Sequence, residues 1–248
     1  MNRTLFNTPL FSITVTLSFV IFALHAAPAS AALIQINASD TGSYGSNGNH
    51  TASIQTYIAG QSQTERRSFF VFDLTGVYAP ITAATLNLWN PNTNPHPCCQ
   101  GFRSPSATET FNLFDVNTPA STVTGGGAGL TNVFDDLGTG SLFGSYVASA
   151  ADNGKVISIG LNAAGLAALN GALGSIITFG GAIGSLSGPG DQFLFGFTTT
   201  DFAGGDVRRL DLTTADVPQV PEPASLTLLA LGLAGLGGRV RRQRWLQR

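Results

Sequence analysis

The chain has 248 residues, and only 10% of them are charged, against roughly 25% in an ordinary soluble domain. The formal charge of −2 conceals a division: residues 32–219 hold 6 basic and 13 acidic residues, a charge of −7, while five of the twelve basic residues fall in the last ten. An acidic body is repelled by phosphate backbones and anionic lipid, which argues against nucleic acid as a partner, and the low total charge excludes a charged disordered tail.

In chain order, residues 1–31 come first. Arg3 precedes an apolar run from Leu10 to Leu24, and the segment closes on Ala29-Ser30-Ala31. A basic start, an apolar middle and a small-x-small end define a secretory signal peptide, with cleavage after Ala31 and Ala29 in the other recognition position.

Residues 32–216 read as one β-rich domain. Leu33–Ala38 opens the sheet, and residues 51–58 place Ala52, Ile54 and Ile58 on one face. In residues 67–74, Phe70, Phe72 and Leu74 share a face while Phe69 and Val71 lie on the other. A strand apolar on both faces is central, or is covered by a loop. Residues 81–90 alternate Ala84, Leu86 and Leu88 with Thr85, Asn87 and Trp89, and further strands are predicted at 108–116, around Ile157–Leu161, around Ile177 and Phe179, at the triple Phe193, Phe195 and Phe197, and at Leu210 and Leu212. One helix is predicted after Asn162 as N-cap, with Leu166, Leu169 and Leu173 on its apolar face, and a helical turn at 132–137. The glycine-rich stretches 42–49, 125–129, 138–144 and 185–190, and residues 90–106, read as turns and loops. The sum is a single antiparallel β-sandwich of jelly-roll type with one short helix, mostly β in class.

Residues 217–225 form a proline-rich linker containing Pro221-Glu222-Pro223; residues 226–238 are apolar and uncharged; residues 239–248 form a basic tail carrying Arg239, Arg241 and Arg242. As a helix, the apolar part spans roughly 20 Å against a hydrocarbon core of about 30 Å, a transmembrane segment helped by bilayer thinning and arginine snorkelling. The arginines stay on the cytoplasmic side, which places the body outside. This ordered set resembles the PEP-CTERM sorting signal of exported bacterial proteins. The resemblance implies processing by exosortase, transient residence in the inner membrane, and delivery to the cell surface or an extracellular matrix, where the hosts of this signal make exopolysaccharide and biofilm.

Residues 66–74, with the strand at 81–88, are similar to the DNRLRE-like secreted modules related to carbohydrate-binding modules, and to a group of PEP-CTERM proteins without known activity. That likeness implies a carbohydrate-binding-like β-sandwich.

Chemical motifs are sparse. There is no G-x-S-x-G, and Lys155, the one lysine, sits in no P-loop. His50 reads as a solvated loop residue, and with His96 it makes no metal-binding pattern. Asp135-Asp136 and Asp152-Asn153-Gly154 are open to calcium or to turn capping, the second being the simpler reading; no other cofactor is implied. Cys98 and Cys99 are adjacent: a strained vicinal cystine, bridges to another chain, and a metal site with His96 are the alternatives, a loop cystine or a matrix cross-link being favoured over the metal. Trp89 and Tyr57 fall on the polar face of their predicted strands and are candidates for stacking on a sugar ring. The reading is a non-enzymatic, exported structural or adhesive protein with no catalytic residues assigned. A lectin-like module for exopolysaccharide is the alternative, and a secreted glycan-active hydrolase ranks third.

Overall fold

The computed structural model describes residues 31–92, 101–187, 190–196 and 207–215. These build eleven strands: β1 (Leu33–Asn37), β2 (Asp40–Gly45), β3 (Ala59–Gln61), β4 (Glu65–Asp73), β5 (Ile81–Asn90), β6 (Thr108–Asp115), β7 (Leu142–Ser149), β8 (Lys155–Gly160), β9 (Ile176–Ile183), β10 (Gln192–Leu194) and β11 (Arg208–Thr214). Three helices accompany them: α1 (Ala120–Gly125), α2 (Thr131–Asp136) and α3 (Ala163–Gly171). The smaller sheet has the order β1-β11-β5-β8; the larger runs β10-β3-β4-β9-β6-β7, with β2 also paired to β4. Every pairing is antiparallel. The predicted mostly β, antiparallel class is therefore observed, and the sheets curl into a half-barrel.

Period-two alternation explains the core. Leu86 and Leu88 of β5, Ile157 and Ile159 of β8, and Leu210 and Leu212 of β11 point inward from the smaller sheet. They meet Phe70 and Phe72 of β4, Phe111 and Leu113 of β6, and Phe179 of β9. Each fully buried phenylalanine contributes about 1.5–3 kcal/mol through area removed from water, so truncating Phe70 to Ala costs about 3–5 kcal/mol.

The two-faced strand at 67–74 has a concrete cause. The Phe70 and Phe72 face of β4 joins the core between the sheets, while Phe69 and Val71 join a second cluster with Tyr44, Val123, Val133, Phe134 and Leu137. Helices α1 and α2 supply the cover. Arg67 fastens it: its guanidinium lies 4.2 Å from the centre of the Phe134 ring and donates to the carbonyls of Phe134 and Asp135 at the end of α2. Helix α3 starts as predicted, with Asn162 Oδ1 accepting from the N–H groups of Ala164 and Gly165. Leu169 is fully buried, and Leu166 and Leu173 pack against the core.

Several expectations are corrected. Residues 51–58 form no strand: Tyr57 leaves the alternation because its ring enters the core. The stretch 42–49 is not all turn, since Asp40–Gly45 pairs with β4 along its length. Likewise, β7 begins at Leu142 inside the predicted loop 138–144. The phenylalanine triple is broken, because Phe195 adopts φ 64° just after β10 ends at Leu194; Phe197 lies outside the described residues. His50 is buried rather than solvated, packed edge-on against Phe69 and tilted against Tyr44. Among the described residues, no helix is long and apolar enough to cross a membrane. Residues 1–30 of the predicted signal segment 1–31, the loop cysteines Cys98 and Cys99, and the segments 217–225, 226–238 and 239–248 lie outside the described residues.

Candidate functional site

The outward residues of the smaller sheet form the most organised polar surface. Register places Asn37, Arg209, Asn87 and Ser158 in one row across β1, β11, β5 and β8. Gln35, Asp211 and Thr85 make the next row. The strands that carry them are held by the apolar core beneath, because the alternate residues Ile36, Leu210, Leu88, Leu86 and Ile157 point inward.

A hydrogen-bond relay crosses this face. Ser158 Oγ donates to Asn87 Oδ1 at 2.7 Å, and Asn87 Nδ2 donates to Asp211 Oδ2 at 3.0 Å. On the other side, Arg209 Nε donates to Asp211 Oδ1 at 2.6 Å and Nη2 to Oδ2 at 3.1 Å. The fork-to-carboxylate geometry is bidentate, which fixes both side chains in orientation. The hydrogen bond to Asp211 raises the guanidinium's pKa above its ordinary value, with burial opposing and charge attraction adding. Asn87 is only 6% exposed, and both ends of its amide are used. One cation and one anion cancel, so the relay across the two rows is formally neutral. The Asp211 carboxylate is engaged by Arg209 and Asn87.

Trp89 and Tyr57 are corrected as sugar-stacking residues. Tyr57 is fully buried, its ring 5.6 Å from Phe70 and 5.8 Å from Phe195, and its hydroxyl donates to the Trp89 carbonyl at 2.9 Å. Trp89 is 8% exposed. Neither ring presents a flat face to solvent, because the tyrosine serves the core and ties residue 57 to the end of β5. The relay beside Trp89 escapes sequence reasoning because Asn87, Ser158, Arg209 and Asp211 come from three strands far apart in the chain; only their shared outward parity could flag them.

Of the aspartates considered for calcium or turns, Asp136 and Asp152 accept hydrogen bonds from nearby turns. Asp136 Oδ2 accepts from the N–H groups of Asn117 and Thr118 and from the Thr118 hydroxyl. Asp152 accepts from the Ser149 N–H and from the Tyr146 hydroxyl. Asn153 Oδ1 accepts from Asn90 Nδ2 and the Phe102 N–H. Among the described residues, no group of three or more His, Cys, Asp or Glu side chains is placed to hold a metal ion. A shallow depression of about 500 Å³ lies beside Asp135 and Asp136, lined also by Asn117, Thr118, Asn132 and Thr139.

Of the predicted processing residues, Ala31 is described and immediately precedes the domain, two residues before β1. Ala29 lies outside the described residues, as do Pro221, Glu222, Pro223, Arg239, Arg241 and Arg242. No curated protein matches the chain. The family profile of the PEP-CTERM protein-sorting motif matches residues 219–242, which covers the Pro-Glu-Pro triplet, the apolar segment and the arginines, so the chain carries the signal of an exported protein sorted by exosortase.

Proposed function

We propose that this protein is a non-enzymatic structural or adhesive component of the cell surface or extracellular matrix. The β domain is the part that acts outside, and the C-terminal signal is its address. The observation that carries this reading is the PEP-CTERM motif at residues 219–242, which begins five residues after the last strand ends at Thr214. The sorting motif brings an exosortase-type enzyme as the processing partner and the inner membrane as a transient station. Replacing Pro221 and Glu222 with Ala tests it by cell fractionation: the variant should accumulate unprocessed in the inner membrane while its domain folds normally. Undiminished surface delivery of that variant would overturn the reading.

A second reading, a lectin-like hold on exopolysaccharide, is favoured by the neutral relay on the smaller sheet. It also accords with the resemblance of residues 66–74 and 81–88 to carbohydrate-binding-like modules. Arg209→Ala should keep the melting temperature and weaken retention on matrix polysaccharide by about tenfold, the equivalent of about 1.4 kcal/mol. Equal retention of both proteins would remove this reading.

A further inference from the structure

We propose that the edge of β1 that no described residue pairs is a self-association surface, onto which a second copy of this chain adds its own β1, antiparallel about a two-fold axis through Gln35. Open strand edges are templates for pairing, and proteins protect the ones that must stay single. Of the four strands that end the two sheet orders, three are protected. The outer side of β10, itself only three residues long, is occupied by the segment around Arg103, whose N–H and C=O exchange hydrogen bonds with Phe193. The β7 and β8 edges run beside each other, so closely that a β-carbon on Gly144 would lie 2.7 Å from the Gly160 carbonyl oxygen. β8 also opens on Lys155. β1, with the sequence LIQIN, has no charge, no proline and no bulge.

Its hydrogen-bonding parity is defined. Thr214 N–H donates to the Ala32 carbonyl and Ala38 N–H to the Arg208 carbonyl, so the even-numbered residues of β1 bond to β11. The N–H and C=O of Leu33, Gln35 and Asn37 therefore point to the open edge, and no described residue pairs with them there.

The strand is also self-complementary. Antiparallel pairing centred on Gln35 sets Leu33 opposite Asn37 of the second copy and Gln35 opposite Gln35, each as a hydrogen-bonded pair. On the inner face, Ile34 meets Ile36, and both are only partly buried by the core of their own chain. The second copy would cover what remains of their apolar surface and extend the smaller sheet across the axis. Such a contact is isologous and closes at a dimer. The occupant is a second copy because this pairing satisfies both strands with like residues and has no charge to repel.

The test uses the full chain in detergent. Sedimentation should show a monomer–dimer equilibrium. Gln35→Pro removes only the outward N–H, and proline is tolerated at an edge strand on its solvent side; it should weaken the dimer at least tenfold while leaving the melting temperature nearly unchanged. Gln35→Lys, which sets like charges across the axis, should do the same if the proline variant misfolds. In a Cys98→Ser, Cys99→Ser background, Gln35→Cys should form an intermolecular disulfide under mild oxidation, and Ser158→Cys on the protected β8 should not. A monomeric wild type, an unchanged dimer in a folded Gln35 variant, or equal crosslinking at both positions would overturn the proposal.

Discussion

Glu109 offers a sharp test of what holds the larger sheet to its connecting loops. The side chain is 1% exposed, on the inner side of β6. Its carboxylate accepts from Gln192 Nε2 at 2.7 Å and from the hydroxyls of Ser104 and Ser185. These partners sit on β10, on the segment before β6 and on the turn after β9, so one group joins three pieces of chain, two of which also meet through the backbone pairing of Arg103 with Phe193. A hydrogen bond to a charged group is worth about 1.5–3 kcal/mol net, and the three compete for one desolvated group, so they do not simply add. Glu109→Ala deletes the acceptor and leaves one buried and two half-buried donors facing a void, which should cost about 3–5 kcal/mol. Glu109→Gln keeps one acceptor oxygen and turns an amide N–H₂ toward a donor. The serine hydroxyls can rotate to accept from it, so the cost falls to about 1–2 kcal/mol. Urea titration measures both: the midpoint should drop in the order wild type, Gln, Ala, with an unchanged slope. If the alanine variant lies within about 0.5 kcal/mol of wild type, or above the glutamine variant, the carboxylate is not the organiser described.

Two further outcomes follow from the packing. Burial lowers the His50 pKa below its ordinary value, with the Ser43 carbonyl and the charge of Asp40 opposing. The unfolded chain therefore binds that proton more tightly. Its contribution to stability is full above about pH 6.5, declines as pH falls toward the folded-state value, and levels off below it. His50→Phe should reduce the loss of urea stability between about pH 7.5 and pH 5, and an equal loss in both proteins would refute this assignment. Gly60 has φ 130°, and a β-carbon there would lie 1.8 Å from the Gln192 carbonyl oxygen, where β3 pairs with β10. Gly60→Ala should cost about 3–5 kcal/mol by thermal melting, whereas Gly76→Ala, with open space around it, should change little.

Legibility in the chain depends on how many jobs each residue performs. β6, β8 and β11 have one face in the core and the other at least partly exposed, and their alternation reads directly; β5 alternates in the same way, although Asn87 and Trp89 of its outer face are buried. β4 is also legible, because a strand apolar on both faces must be covered on both; the second cover is α1 and α2. β2 is hidden because its glycine is there for contact rather than for turning: a β-carbon on Gly42 would lie 2.6 Å from the rings of His50 and Phe69. A strand that must pass under two rings has to look like a loop. Tyr57 misleads in the opposite sense, since an aromatic among polar neighbours on an irregular segment can fill the core from outside the ladder. The relay at Asn87 and Asp211 depends on β11 lying between β1 and β5, a long-range pairing that no local pattern encodes.

That same strand order has a temporal consequence. β11 is the last strand of the domain and sits between β1 and β5, so the smaller sheet has no centre until the chain has been delivered nearly to its sorting motif. Contacts that span this much sequence form slowly, because the loop must close before the contact is rewarded. A chain threaded through a membrane from its N-terminus would thus leave β1 and β5 without their common partner until β11 itself had crossed. Because Ala32 and Thr214 are hydrogen-bonded neighbours, both ends of the finished domain also leave from one point. A pull between those two ends would peel β1 from β11 one pair at a time, whereas a pull on the C-terminus against the body would load β11 against β1 and β5 together.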